Sequence, residues 1–338
     1  MLKLDLSSPH MSITISKNQN EKNVKNPPKS QSSMDILSIL CEALKIIIGN
    51  GTVIVYIFLP VFISYSMLPY GVNLVSLPLM KDLMWRLSFF NDYHEENKFD
   101  QFWQSGITKD IKRLLVLQSV KWFFSCVIML FILVTTVSLA SEAHTGKKLS
   151  MKDAILMIKG RWRRPVITSI YIAIISLSLI VVFSTITMLI PLMVDGFLCF
   201  GLLAVVAILG AIGYIYVDAV WMLSLVVSIL EDDSCGLKAI VRAGELMEGK
   251  RLKGCVINLL LVTTSVIVGI TFLKMINSNL TAQEVLIVLI PHAFANCLLK
   301  FLMFVMFTVF YHECKLSHEE ARVKGELGLY APIASVEA

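Results

Sequence analysis

Two ionisable side chains lie deep inside apolar runs of this chain, Asp218 within 196–230 and Lys300 within 285–311. A charge in hydrocarbon costs at least about 2.5–3.5 kcal/mol, so each requires a partner, a wet cavity or a function. Asp218 shares a helical face with Ala204, Ala207 and Ala211, and Tyr214 lies near it. Small residues at that spacing admit a neighbouring helix, which turns Asp218 toward protein and away from lipid. His292, Asn296 and Lys300 recur at every fourth position and form one polar stripe on a helix. Counted along a helix, Asp218 is about 20 Å from Glu231 and Lys300 about 17 Å from Tyr311. The two charges share a depth if both segments run the same way. The expectation is an Asp218–Lys300 pair inside a helix bundle, with Asn296 and His292 prolonging the polar line. Such a pair either fixes helix register or marks a path for a proton or ion. One pair with no second acidic residue is a poor relay.

Other reactive residue types form no comparable constellation. The run Asp92-Tyr93-His94-Glu95-Glu96 holds possible metal ligands but lacks the His-Glu-x-x-His spacing that aims two imidazoles at one zinc, so it reads as a solvated charge run. Seven cysteines include no CxxC pair. Cys126, Cys199 and Cys297 fall in apolar blocks as small hydrophobes; Cys41, Cys235, Cys255 and Cys314 lie near block ends, where acylation is conceivable. No acid, base and nucleophile gather at one depth, so no enzyme, cofactor or metal is expected.

The elements that must carry these residues follow from composition. Of 338 residues, 56% are hydrophobic and 16% charged, with a mean hydropathy of +0.73. Soluble domains average roughly 45–50% apolar and about 25% charged, so a soluble enzyme is excluded. The apolar residues gather in six blocks: Val53–Tyr70, Trp122–Ala140, Val166–Val194, Gly196–Leu230, Cys255–Leu273 and Val285–Tyr311. The expected fold is all-α, a polytopic membrane helix bundle with about six transmembrane helices plus interfacial amphipathic helices.

Pro191 and Asp195-Gly196 make blocks three and four a helical hairpin. Block four, too long for one straight crossing, must tilt, project or kink at Gly210 or Gly213. Residues 1–33, rich in Ser, Asn, Lys, Gln and Pro, read as a disordered head without signal-peptide pattern; 34–315 form the membrane domain and 316–338 a flexible tail. An apolar stripe over 34–48 predicts an interfacial helix, and the aromatic, charged loop 71–120 predicts helices lying in the headgroup layer.

Orientation follows from Lys and Arg. With six crossings and the head inside, the head, loop 141–164, loop 231–254 and the tail place 21 of the 30 basic residues on the cytoplasmic side. Both termini are then cytoplasmic. A re-entrant first block, marked by Gly49, Gly51 and Pro60, is the alternative and moves the head across. The net charge of +5 is spread beside apolar blocks, which indicates lipid and not nucleic acid. Asn279-Leu280-Thr281 is a glycosylation sequon set too close to both spans for efficient use.

After block four, Leu237, Ile240, Val241, Gly244 and Met247 form the apolar stripe of an amphipathic helix ending at Gly249. Lys250, Arg251 and Lys253 follow as candidate contacts to anionic lipid headgroups. This arrangement, with the span end at Trp221, the Gly-Lys-Arg run into the next span, the loop Thr145-Gly146-Lys147-Lys148 and the ending Tyr311-His312-Glu313-Cys314-Lys315, resembles a family of uncharacterised plant six-span membrane proteins. It is more distantly similar to the membrane domain of some bacterial glycerophosphoryl diester phosphodiesterases. The resemblance spans about residues 35–320 and is architectural. The phosphodiesterase chemistry resides in a separate barrel absent from this sequence, so no catalytic residue carries over.

The sequence therefore predicts a non-enzymatic scaffold, membrane-organising or partner-binding protein of the secretory pathway or plasma membrane, with partners met through cytoplasmic loops and termini. The alternative is a small-solute or ion transporter using Asp218 and Lys300.

Overall fold

The computed structural model describes residues 35–49, 51–91, 108–145, 160–194, 196–276 and 282–330. These form eight helices and no strand: α1 (Ile36–Gly49), α2 (Gly51–Asn91), α3 (Thr108–His144), α4 (Arg163–Met193), α5 (Phe197–Leu230), α6 (Leu237–Leu246), α7 (Arg251–Ile276) and α8 (Ala282–Tyr330). Five of them are long and apolar enough to cross a bilayer: α3, α4, α5, α7 and α8 over Val288–Glu320. An all-α membrane bundle is thus the architecture, with five such helices among the described residues where six were expected. Block one falls in α2, where the described apolar stretch is Phe58–Leu68. The helix is continuous across that block, without the break at Pro60 that a re-entrant turn requires.

Short connections make successive helices antiparallel. Glu42 of α1 lies 3.2 Å from His144 at the end of α3, while Val75 and Leu79 of α2 line a cleft with Val116 and Leu117 near the start of α3. So α2 runs back along α3. The α4–α5 turn needs Gly196, whose φ of 74° is left-handed. Gly210 does not kink α5, which is unbroken; it lets α4 approach, since a Cβ there would come within 2.3 Å of the Phe183 ring. Gly236 opens α6 at φ 60°, with its N–H donating to Thr168 Oγ1 at 2.9 Å. These links bring α1, α6, both ends of the α4–α5 hairpin and the middle of α8 to one end of the bundle, here the capped end.

The core sits near that end. Ile132–Ala140 of α3, Leu223–Ile229 of α5 and Met303–Tyr311 of α8 supply much of it. Burial is uneven: the apolar windows of α3 and α8 are 50% and 61% buried, those of α4 and α5 only 6% and 0%. The hairpin therefore leaves its apolar surface to its surroundings.

Several expectations are corrected. Residues 71–91 and 108–120 are the outer ends of α2 and α3, not separate interfacial helices; the Asp92–Glu96 run, Phe99, Phe102 and Trp103 lie outside the described residues. The head, Lys147, Lys148, Lys152, Lys159 and the sequon also fall outside. The tail drawn as flexible from residue 316 is helical to Tyr330. On α6 the buried face is Ala239, Ala243 and Leu246, continuing to Met247, whereas Leu237 and Val241 are 54% and 56% exposed. Alanines allow α6 to settle closely onto the bundle, and the larger residues turn outward. The predicted stripe was rotated by this preference for close approach. Cys314 is fully buried and Cys297 nearly so, which withdraws Cys314 from the acylation candidates; Cys41 and Cys235 are exposed.

Gly236 and Gly213 test this assembly. Gly236→Ala must force an L side chain to φ 60° with its Cβ 3.0 Å from Tyr171, and should cost about 1–3 kcal/mol. Gly213→Ala adds a methyl to open space inside α5 and should raise stability by about 0.4–1 kcal/mol. Thermal melts of the two variants in detergent check the difference.

Candidate functional site

The polar side chains of the bundle separate into an intramembrane group and a larger cluster at the capped end. In the first, Asp218 is held by α7: Asn258 donates through Nδ2 to Asp218 Oδ2 at 3.0 Å and to the Ile215 carbonyl at 3.1 Å. Asn258 is 1% exposed, and its Oδ1 has no hydrogen-bond partner. Lys300 on α8 lies close enough to Asp218 to interact electrostatically, but the two do not touch. The expected direct pair is thus replaced by an Asn258–Asp218 hydrogen bond with Lys300 nearby. The polar stripe of α8 is partly internal: Asn296 Nδ2 donates to the His292 carbonyl at 3.0 Å and lies 3.0 Å from His292 Nε2, while the His292 ring stacks on Phe272 of α7 at 3.8 Å. The geometry brings Asp218, Asn258 and Lys300 together and ties His292 and Asn296 to each other.

The capped end is built by the ends of several helices. Glu231, the extended residue that stops α5, accepts from Tyr311 at 3.1 Å on Oε1 and from Ser234 at 3.1 Å on Oε2. Arg242 of α6 approaches the same carboxylate at 3.7 Å and pairs with Glu245 at 3.1 Å. His312 stacks on His144 with ring centroids 4.6 Å apart, and Ser141 Oγ lies 3.3 Å from its Nε2. Through Glu42, this histidine pair anchors α1. His318, a turn and a half further along α8, meets the Glu245 carbonyl at 3.0 Å.

At its centre is Glu313, whose side chain is 7% exposed. Lys250 Nζ donates to its Oε1 at 2.9 Å and to its carbonyl at 3.2 Å, and Lys253 Nζ donates to the same Oε1 at 3.2 Å. Oε2 is buried without a partner. Two of the three candidate headgroup contacts therefore point inward. They lie three residues apart, one helical turn, and so converge on one carboxylate. Only Arg251 remains outward, 57% exposed and 3.8 Å from Glu248.

Nearer solvent, Arg164 pairs with Asp232. The hydrogen bond and charge of Arg164 hold that carboxyl below the usual carboxylate range. The lowered value means the pair supports the fold above the ordinary Asp pKa and loses that support as pH falls through the folded one. Being exposed, it contributes little.

Sequence reasoning missed Asn258 and Glu313. A lone Asn inside Val256-Ile257-Asn258-Leu259 was a visible signal, since polar residues in an apolar span need partners. Glu313 stands just beyond block six and gives no such sign. Chemically, the capped cluster neutralises charge and joins helices; among the described residues no group of three His, Cys, Asp or Glu can hold a metal ion.

Removing Glu313 should be costly. Glu313→Gln strips two inward lysines of their counter-charge and should lower stability by about 3–5 kcal/mol, whereas Arg251→Ala should change it by no more than about 0.5 kcal/mol. Reversible unfolding in mixed micelles measures both. A family model described as "Domain of unknown function (DUF8558)" matches residues 27–328. Comparison with curated proteins gives no match, nor does comparison with solved structures.

Proposed function

We propose, for a chain that belongs to the family described as a domain of unknown function (DUF8558), that this integral membrane protein acts as a scaffold that holds a partner in the membrane. The observation that carries the reading is the contrast in burial. One end of the bundle is locked by charge pairs and a packed core, while the α4–α5 hairpin, with windows 6% and 0% buried, keeps a long apolar surface uncovered by its own chain. A rigid base bearing an uncovered helical hairpin suits lateral association with another membrane helix, where packing replaces lipid contact. In this reading the chain is not an enzyme. It belongs in the secretory pathway or plasma membrane, with further contacts through cytoplasmic loops and termini.

The capped end supports an orientation. Arg161 before α4, Arg163 and Arg164 in its first turn, Lys238 and Arg242 on α6 and Lys315 on α8 all attach to it, which by the excess of basic residues reads as the cytoplasmic side. Glu42 and His312 both belong to that end, so α1 and α8 are joined there, and this reading keeps the two termini on one side. Tags on both termini should be reachable only after the membrane is permeabilised, as a protease-protection assay would show.

The transporter reading keeps one observation in its favour: Asn258 Oδ1 is a buried unpartnered acceptor beside Asp218 and Lys300. Purified protein in liposomes separates the two readings. The scaffold reading expects no solute or ion flux above empty vesicles, together with a partner cross-link lost when Leu198 and Leu202 on the hairpin are changed to Asn. Flux that disappears in Asp218→Asn or Lys300→Met would overturn it.

A further inference from the structure

Away from the capped end, α2 and α3 border an open apolar cleft that neither the charge lock nor the hairpin uses. Val75 and Leu79 of α2 face Val116 and Leu117 of α3, and Lys112 and Arg113 complete the wall. Its volume, about 680 Å³, falls within the roughly 300–1,000 Å³ of ordinary ligand sites.

Depth decides what such a cleft can hold. Trp122, Phe123 and Phe124 are exposed at the start of the apolar block of α3, a position where aromatic side chains mark the headgroup level. Val116 and Lys112 precede Trp122 by about 9 and 15 Å of helix. On α2, Val75 and Leu79 lie about 9 and 3 Å before Lys81, the first charged residue after an uncharged run that begins past Lys45. Both helices place the cleft at the charged edge of the hydrocarbon, where headgroups and the upper parts of acyl chains meet. Bare apolar surface there is unfavourable unless an amphiphile fills it.

Charge selects the amphiphile. Lys109, Lys112 and Arg113 lie within about one turn of α3 against a single acid, Asp110. Arg113 is 3.6 Å from Asp110 yet 69% exposed, so its remaining donors are open to a second anion. A second copy of the chain seated on this cleft would bring the same cations face to face.

We propose that the cleft binds one acyl chain of an anionic phospholipid from the adjoining leaflet, with Lys112 and Arg113 taking its phosphate. The apolar walls supply retention and the two cations supply headgroup preference. The site is distinct from the scaffold surface on α4–α5 and does not depend on that reading.

Native mass spectrometry of the full-length protein, exchanged into detergent with equimolar phosphatidylglycerol and phosphatidylcholine of identical chains, tests it. The wild type should retain one phosphatidylglycerol with roughly tenfold or greater preference. Lys112→Gln with Arg113→Gln should abolish the preference while chain-dependent retention persists. Val116→Trp, which fills the cleft without touching charge, should reduce retention of both lipids. Equal retention of the two lipids by the wild type, an unchanged preference in the double variant, or cross-linking of two copies through a cysteine placed at 116 would each overturn the proposal.

Discussion

The capped end of this protein, and the core packed beside it, depend on how the chain neutralises Glu313. The carboxylate is almost wholly buried, and a buried charge without a partner carries a penalty that a bundle of this kind cannot absorb. Lys250, just before α7, and Lys253, in its first turn, answer it, and in doing so they tie the start of α7 to α8. Around that anchor the Glu231 and His144–His312 contacts close the same end. The packed core follows the lock: the buried runs of α3, α5 and α8 sit beside it.

The remainder of the bundle obeys a different constraint. In hydrocarbon there is no hydrophobic drive for helices to pack together, so close contact persists mainly where small residues, aromatic rings or polar bonds favour it. Gly210 against Phe183 holds the hairpin to itself, and the Asn258–Asp218 bond holds α5 to α7. Beyond these contacts α4 and much of α5 face outward. This division into a locked end and an uncovered hairpin is the structural basis for the scaffold reading.

Much of the fold was legible because membrane helices announce themselves through long apolar runs and their breaks. The hairpin turning at Gly196, the helix over 36–49 and the turn at Gly249 were all readable from periodicity, proline and glycine. Asp218 does face α7, but not for the reason its neighbours suggested: Ala204, Ala207 and Ala211, the small residues expected to admit a helix, are exposed, and the contact is made by Asn258 instead. Lys250 and Lys253 show the limit most plainly. Lysines at a span end usually reach for headgroups, and only the passage of α8 beyond its apolar block places a carboxylate where they turn inward instead. The register of α6 was misjudged for a related reason. Amphipathic pattern ranks residues by hydrophobicity, whereas close packing selected Ala239 and Ala243 over Leu237 and Val241.

The central claim is that the Glu313–lysine contact organises the capped end. A double-mutant cycle on Glu313 and Lys250, with stability measured by reversible unfolding in lipid, tests it most directly. Residues bonded in one network couple by about 0.5–3 kcal/mol, and a lock of this kind should lie in the upper half of that range. Additive effects of the two substitutions, with no coupling, would contradict the account.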